Sequence, residues 1–517
     1  MADGHDGAAV HNMGGWVAHW AARAGERLAI QDDDRRLDYA ALEARIARLC
    51  GWLLARGVCR GDRVALLLGN RSASLEVVLA AARVGSIAVP INLRLSPREI
   101  RFVFDDCRPR LLVYEEALTG VVHRALVEAA SPPSERLAVG GSPDAYEQAL
   151  DASTPAPAVE PVSPEDPSIL MYTSGTTGAP KGALLPHRKA LFNSLNAQLF
   201  FGIRSDDRVL VVAPLFHSLG LQILALPALY AGASLVLQSG FDAARVWTTV
   251  DTQDITYLGG VPTMYQQLHD ELDGGRVAAC DLSSLRFCFT AGAAISVELV
   301  RAYERAGIVL KQGYGQTETS ILCCLEARDA VRKAGSVGQP IFHGDVRVVA
   351  PDGLDDDPEQ WRDTAPGETG EIVVSGPIRM LGYWERPEAT AETLRGDWLR
   401  TGDLASVDAE GFVTLVGRAR DMYISGGENV YPAEVESALA EHPEVREVAV
   451  VADPHPRWGE VGRAHIVLEA GCTLDEEKLL VWARERLASF KLPARFVVES
   501  SLPKTASGKV QKHLLRG

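Results

Sequence analysis

The sequence predicts an α/β protein in two unequal parts, a large N-terminal domain of βα-layered sheets and a small C-terminal α+β domain. Three observations carry this. The chain has 517 residues, 47% hydrophobic and 23% charged, an ordinary globular composition spread over more chain than one compact core accommodates. Helical stripes alternate with short continuous apolar runs over most of its length, as expected of strands buried under helices. Near Arg420 the pattern restarts as a compact unit of its own.

In the first part, Leu42, Ile46, Leu49 and Leu53 share one helical stripe and the apolar run RVALLLGN (63–70) follows. Runs of the same kind recur at SILMY (168–172), RVLVVAP (208–214), SLVLQ (234–238), ITYL (255–258), LRFCFT (285–290) and IVLKQ (308–312), mostly separated by amphipathic segments. STPAPAVEPVSPEDP (153–167) reads as a linker and PDGLDDDPEQ (351–360) as an exposed loop; neither need divide the chain. After GEIVVSG (370–376) and GFVTLVGR (411–418), the C-terminal unit reads as a helix from Pro432, strands VREVAVVA (445–452) and AHIVLEA (464–470), a helix over 475–488 and a strand RFVVES (495–500).

The net charge of -16, from 52 basic and 68 acidic residues, argues against general affinity for nucleic acid or an anionic membrane, so any polyanion must bind locally. The start MADGHDGAAVHNMGG lacks the blocks of a secretory signal and no run approaches the ~20 apolar residues of a membrane helix, which predicts a cytoplasmic protein without integral membrane association. Eight scattered cysteines without a C-x-x-C pair predict reduced, mostly buried thiols and no zinc site.

YTSGTTGAPKG (172–182) follows the run SILMY, at a strand end where open α/β sheets bind ligands. Its small side chains leave backbone N–H groups, the hydroxyls of Thr173, Ser174, Thr176 and Thr177, and the Lys181 ammonium free to converge on a polyanion. It is not the G-x-x-x-x-G-K-[ST] loop, because Lys181 follows Pro180 and precedes Gly182; by composition alone it also fits a flexible surface loop. KQGYGQTETS (311–320) repeats the strand–glycine arrangement and ends on Thr317 and Glu318, a carboxylate suited to Mg²⁺ at phosphates. In LRTGDLAS (399–406), Asp403 follows a glycine turn and is placed to accept from ribose hydroxyls. GRARD with SGGENVYP, and finally PKTASGK, complete an ordered set.

Together, YTSGTTGAPKG, YGQTE, TGD, GRARD with SGGENVYP, and PKTASGK resemble the acyl-adenylate-forming superfamily of acyl-CoA synthetases, luciferases and adenylation domains, over nearly the whole chain from LDYAALEARI (37–46) onward. The resemblance implies an AMP-forming acyl-CoA synthetase that uses ATP, Mg²⁺ and coenzyme A, as a monomer or homodimer. The alternatives are a stand-alone acyl-AMP ligase loading a carrier protein and a catalytically silent nucleotide-sensing relative.

By the same resemblance Thr173, Ser174, Gly175, Thr176, Thr177, Gly178 and Lys181 hold the β- and γ-phosphates, and Thr317 and Glu318 serve the α-phosphate, Glu318 as the Mg²⁺ ligand. Tyr314 and Gly315, with Ala291, Gly292 and Ala293, form the adenine site, and Asp403 and Arg418 the ribose contacts. Lys509 is the mobile cation of adenylation, carried by a small domain that rotates about Arg420. Ser425, Gly426 and Gly427 on the other face line a pantetheine tunnel. APLFHSLGLQILALPALYAG (213–232) lines the acyl pocket with His217 at its mouth, and Gly259 and Gly260 keep that pocket wide. Ile295 stands where many acyl-CoA synthetases carry proline. The expected substrate is a monocarboxylic acid with an apolar body, a medium- or long-chain fatty acid or an aryl acid; malonate-like diacids are disfavoured.

Overall fold

A computed structural model of the chain describes residues 12–156, 161–173, 180–275, 277, 280–292, 295, 297–350, 353–354, 356–418, 423–430, 432–503, 510 and 512–515. The stripe of Leu42, Ile46, Leu49 and Leu53 lies on the helix Tyr39–Ala55, and all four side chains are fully buried. The helix begins where the Asp38 carboxylate accepts the Ala41 N–H at 2.7 Å, an N-cap. At roughly 1.5–3 kcal/mol for each buried side chain, the stripe outweighs any local preference in fixing the helix to its neighbours. The next helix, Ser72–Arg83, is buried on every side, as befits an element between two layers.

Two large sheets form those layers. The run at 63–70 becomes the strand Arg63–Leu67 of a seven-stranded sheet ordered Gly382–Tyr383, Lys181–Pro186, Pro167–Thr173, Ile87–Pro90, Arg63–Leu67, Leu111–Glu115 and Glu135–Val139. Its last five strands run parallel, and the first two pair antiparallel. The runs from residue 208 to 312 build a nine-stranded sheet in which Leu310–Gln316, Phe287–Thr290, Tyr257–Gly260, Arg208–Val211, Ser234–Leu237 and Leu28–Gln31 are parallel neighbours. A third, antiparallel sheet holds Asp345–Val349, Thr369–Ser375, Trp398–Val407 and Val413–Arg418. One apolar core joins all three.

Two expectations change. The stretch read as a linker is strapped down at its start, where the Ala156 N–H donates to the Ala47 carbonyl at 2.8 Å. The acidic loop has an apolar anchor, Leu354, buried beside Trp361.

The C-terminal unit has a sheet and core of its own. Tyr423–Ser425 pairs with Glu428–Val430 and with Gly459–Leu468, which pairs with Val445–His455 and Arg495–Val498. The helices Pro432–Ala440 and Glu476–Arg484 cover it, burying Tyr423, Leu439, Val450, Ile466, Leu479 and Phe496. It docks on residues 94–99 of the large part, at the start of the helix Pro97–Cys107. There Ser96 and Glu99 form a capping box, and the same Glu99 carboxylate accepts from Lys491 of the small domain at 2.9 Å. Among the described residues no helix is long and apolar enough to cross a membrane. All eight cysteines are free; burial pushes the thiols of Cys50, Cys107 and Cys288 up to about 12, which makes them inert.

Candidate active site

The Gly/Thr loop joins two antiparallel strands, Pro167–Thr173 and Lys181–Pro186, with Thr173 opposite Lys181. A loop between a strand and a helix, as in nucleotide-binding P-loops, would have a helix N-terminus behind it; here the fixed cation is Lys181, whose ammonium lies 5.3 Å over the Tyr383 ring. Ser174, Gly175, Thr176, Thr177, Gly178, Ala293, Arg420 and Lys509 lie outside the described residues.

A cavity of about 650 Å³ opens beside this hairpin. Thr173, Lys181, Ala291, Gly292, Tyr314, Gly315, Thr317, Glu318 and His217 all line it, as do Gly426 and Gly427 of the small domain. These residues are far apart in sequence, and the fold brings them to one volume. Asp403 stands just behind the wall: its Oδ2 accepts from the Tyr314 hydroxyl at 2.6 Å and from Gln316 Nε2 at 2.7 Å, and in the sheet it is in register with Arg418. The Tyr314 ring thus walls the cavity while its hydroxyl fixes the carboxylate. Glu371 holds the adjoining turn, accepting from Arg400 at 3.1 Å and from the Gly402 N–H at 3.2 Å. Sequence reasoning missed Gln316, Glu371 and Tyr383, whose letters carry no pattern of their own.

Glu318 is the lining carboxylate expected to serve the phosphates. Its Oε1 accepts from the Tyr383 hydroxyl at 2.9 Å, and its backbone carbonyl accepts the Met380 N–H at 2.8 Å, so its position is set from both sides. Magnesium at phosphates needs one or two carboxylates and completes its shell with phosphate and water oxygens, and a single well-held Glu318 fits that demand. Among the described residues no three acidic, histidine or cysteine side chains cluster as a metal cage.

At the opposite end the wall is mostly apolar: Leu219, Ile223, Met264, Phe289 and Ile321. Of the 213–232 stretch, Ala213, Pro214, His217, Ser218, Leu219 and Ile223 reach the cavity, whereas Leu221 and Leu224–Ala231 belong to the core. Gly259 and Gly260 do not line the cavity. A Cβ on Gly259 would sit 2.8 Å from Leu224, so this glycine admits a core leucine instead of widening the pocket. Ile295 is likewise a core residue. The unexpected group is Lys189, fully buried behind this wall; burial pushes its ammonium down to about 7, with Glu318 opposing.

The small domain closes the cavity with a hairpin tip. Ser425 pairs with Glu428 across Gly426 and Gly427, whose φ values of +59° and +83° are those of a two-residue type I′ turn, open to glycine at both positions. Ser425 is buried at the base of the turn; a Cβ on Gly427 would lie 2.7 Å from Val261 across the domain boundary. Beside the tip, Glu428 Oε2 is 2.6 Å from His217 Nε2, and Oε1 accepts from Arg94 at 3.1 Å. Burial alone would lift the Glu428 carboxyl, but His217, Arg94 and Lys491 hold it below its ordinary value.

The chain belongs to the AMP-binding enzyme family: the family model matches residues 17–384, and that of the AMP-binding enzyme C-terminal domain matches 434–509. Within the family it is an AMP-forming acyl-CoA synthetase, an ATP-dependent carboxylate–CoA ligase using ATP, Mg²⁺ and CoA. It is 41% identical to a feruloyl-CoA synthase of Amycolatopsis sp. over 98% of both chains, and 38% identical to an indoleacetate–CoA ligase of Aromatoleum aromaticum over 97% of both. Among solved structures, a double mutant of the o-succinylbenzoate CoA synthetase from Bacillus subtilis with its product analogue OSB-NCoA matches at 31% identity and TM-score 0.86, covering 97% of this chain and 98% of that one. The same synthetase in complex with its acyl-adenylate intermediate matches over the same shares at 0.70.

Proposed function

We propose that the chain activates an aromatic monocarboxylic acid as its acyl adenylate and passes the acyl group to coenzyme A, both at this cavity. The observation that carries the reading is the juxtaposition, in one volume, of the Thr317–Glu318 phosphate end, an apolar slot and the Gly426–Gly427 tip. The slot is closed by the Phe289 ring, which lies against the bare backbone of Gly313, where a Cβ would be 2.7 Å from it. An apolar wall that includes an aromatic ring suits stacking or edge contact with an aromatic acid, and two relatives are named for aromatic acids.

In the first half-reaction a substrate carboxylate oxygen attacks the α-phosphorus and the bond to pyrophosphate breaks. A carboxylate meets a polyanion there, so the protein must neutralise charge and hold the line of attack. Thr173, the 174–178 loop and Lys181 take the β- and γ-phosphates, Thr317 the α-phosphate, Ala291, Gly292, Ala293, Tyr314 and Gly315 the adenine, and Asp403 and Arg418 the ribose. Glu318 would hold Mg²⁺, which when bound would offset phosphate charge. Lys509, brought in by rotation of the 420–517 domain about Arg420, donates to the oxygens where charge develops. In the second half-reaction the CoA thiolate attacks the acyl carbon and AMP leaves. The Gly426–Gly427 tip flanks the thiol path, and Glu428 holds His217 at the slot mouth. The higher likeness to the product-analogue complex supports an arrangement suited to this second step.

The test is AMP release with and without CoA across benzoate, cinnamate, 4-hydroxycinnamate, indoleacetate, octanoate, acetate and malonate. Aromatic acids are expected to give the highest kcat/KM and a free CoA thioester. Preference for acetate, malonate or octanoate overturns the aromatic reading; adenylation without CoA thioester points to a carrier-protein acceptor.

A further inference from the structure

Behind the apolar slot lies a buried polar network that neither half-reaction uses. Lys189, in the helix His187–Phe201, donates from Nζ to Gln222 Oε1 at 2.8 Å and to Ser320 Oγ. Ser320 Oγ donates to the same Gln222 oxygen at 3.1 Å. Asn193 braces both sides: its Nδ2 donates to the Gln222 carbonyl at 2.6 Å, and its Oδ1 accepts the Ile321 N–H at 3.4 Å. Of this network, Ser320 lines the cavity.

Two features make it more than packing. Lys189 is fully buried, yet among the described residues no carboxylate lies within ion-pair distance of it; an apolar side chain of similar length would fill the space without desolvating an ammonium. Ser320 has φ +61°, the left-handed region, where a glycine would carry no strain. A strained serine whose hydroxyl is held by a buried lysine is arranged for the sake of that hydroxyl. Lys189 occupies one lone pair of Oγ, Gln222 takes its proton, and the second lone pair remains for a donor in the slot.

We propose that Ser320 is a specificity-determining residue that accepts a hydrogen bond from a ring hydroxyl of the aromatic acid, and that Lys189 is the positioning residue which, with Gln222, fixes the Ser320 hydroxyl for it. The inference rests on the aromatic-acid reading above. A ring carboxylate is the wrong partner, because the acceptor lone pair would repel it and the ammonium is screened from the slot by Ser320 itself.

The experiment compares kcat/KM for matched pairs, 4-hydroxycinnamate against cinnamate and 3- and 4-hydroxybenzoate against benzoate, in the wild type, Ser320→Gly and Lys189→Met. The wild type should favour at least one hydroxylated member about tenfold, as one buried hydrogen bond allows. Both variants should bring that ratio to about one. A ratio within one enzyme cancels general losses of rate or folding, and Ser320→Gly suits the left-handed backbone, so the test stands even if Lys189→Met folds poorly. No hydroxyl preference in the wild type, a preference that survives in Ser320→Gly, or a preference for terephthalate overturns the proposal. If no aromatic acid turns over while aliphatic acids do, the aromatic reading fails and this inference fails with it; if aromatic acids turn over with equal kcat/KM, only the inference fails.

Discussion

Two of the charged sites where the small domain meets the large one are built in opposite ways. In the interior, Lys491 donates to Glu99 at 2.9 Å and to Glu434 at 2.6 Å, with all three side chains at most 8% exposed. At the cavity rim, Glu428 is shared between His217 and Arg94, which are 41% and 50% exposed. In the interior site two carboxylates share one cation. The lysine ammonium is pushed up by the carboxylates against the pull of burial, and burial, with Glu99, lifts the Glu434 carboxyl. At the rim the carboxylate is held down and its partners exchange with water. The interior site is costly to unpair, whereas the rim site, whose cations are open to water, is held less firmly. Each prediction below breaks one side of this difference.

The largest effect is expected at the hairpin tip that both sites serve to place. Gly427→Leu puts a side chain at φ +83° and a Cβ 2.7 Å from Val261. Left-handed strain of about 1–2 kcal/mol and overpacking of about 1–3 kcal/mol sum to about 2–5 kcal/mol, or roughly 30- to 5,000-fold. Thioester formation from supplied acyl adenylate should fall by that factor while pyrophosphate exchange holds. Equal losses in the two half-reactions would show that the tip does not guard the thiol path.

Lys491→Met breaks the interior site and leaves Glu99 and Glu434 buried without a cation. Unpairing a buried charge costs about 3–5 kcal/mol, and the lower end applies because Glu434, already lifted, takes up a proton first. Thioester formation should drop roughly 100-fold relative to adenylation, and limited proteolysis near residue 420 should quicken. Lys491→Met with Glu434→Gln should recover most of the loss. A single variant with wild-type partitioning would mean that the interior site does not set the domain arrangement.

The sequence announces some of this and hides the rest for physical reasons. Strands buried on both faces read as apolar runs, so both large sheets were legible, although ITYL (255–258) became Tyr257–Gly260, since nothing in the letters marks where a parallel strand stops. The short motifs in which small residues and charges gather were legible as neighbours: Thr173, Lys181, Tyr314, Thr317 and Glu318 line one cavity. Lys189 was not. It lies with Asn193, Ser194 and Asn196 on the buried face of a helix whose polar residues, by letter alone, belong in water. Nor was Glu99, which closes the capping box with Ser96 and also accepts from Lys491 of the small domain. The paired glycines were noticed for the room they give the thiol, whereas their first requirement is the turn itself.

The smallest effect, and the one that separates the two sites most finely, is on pH. Glu428 is depressed, so its contribution is full above the ordinary carboxylate range and is lost only as pH falls through its lowered value. Glu434 is raised, and its protonation on acidification removes an excess buried charge without breaking the rim pair. The ratio of thioester formation to adenylation should therefore hold from pH 8 to 6 and decline modestly as pH falls through the carboxylate range. Glu428 is buried but its partners are half-exposed and screened by water, and a coupling of about 1 kcal/mol corresponds to a swing of about fivefold. Glu428→Gln should flatten the decline within the carboxylate range and leave the rate of proteolysis near residue 420 unchanged, whereas Lys491→Met should keep the decline, moved to slightly higher pH because Lys491 helps to hold Glu428 down, and quicken the proteolysis. Identical profiles in the wild type and Glu428→Gln would place the pH response elsewhere and remove the distinction between rim and interior.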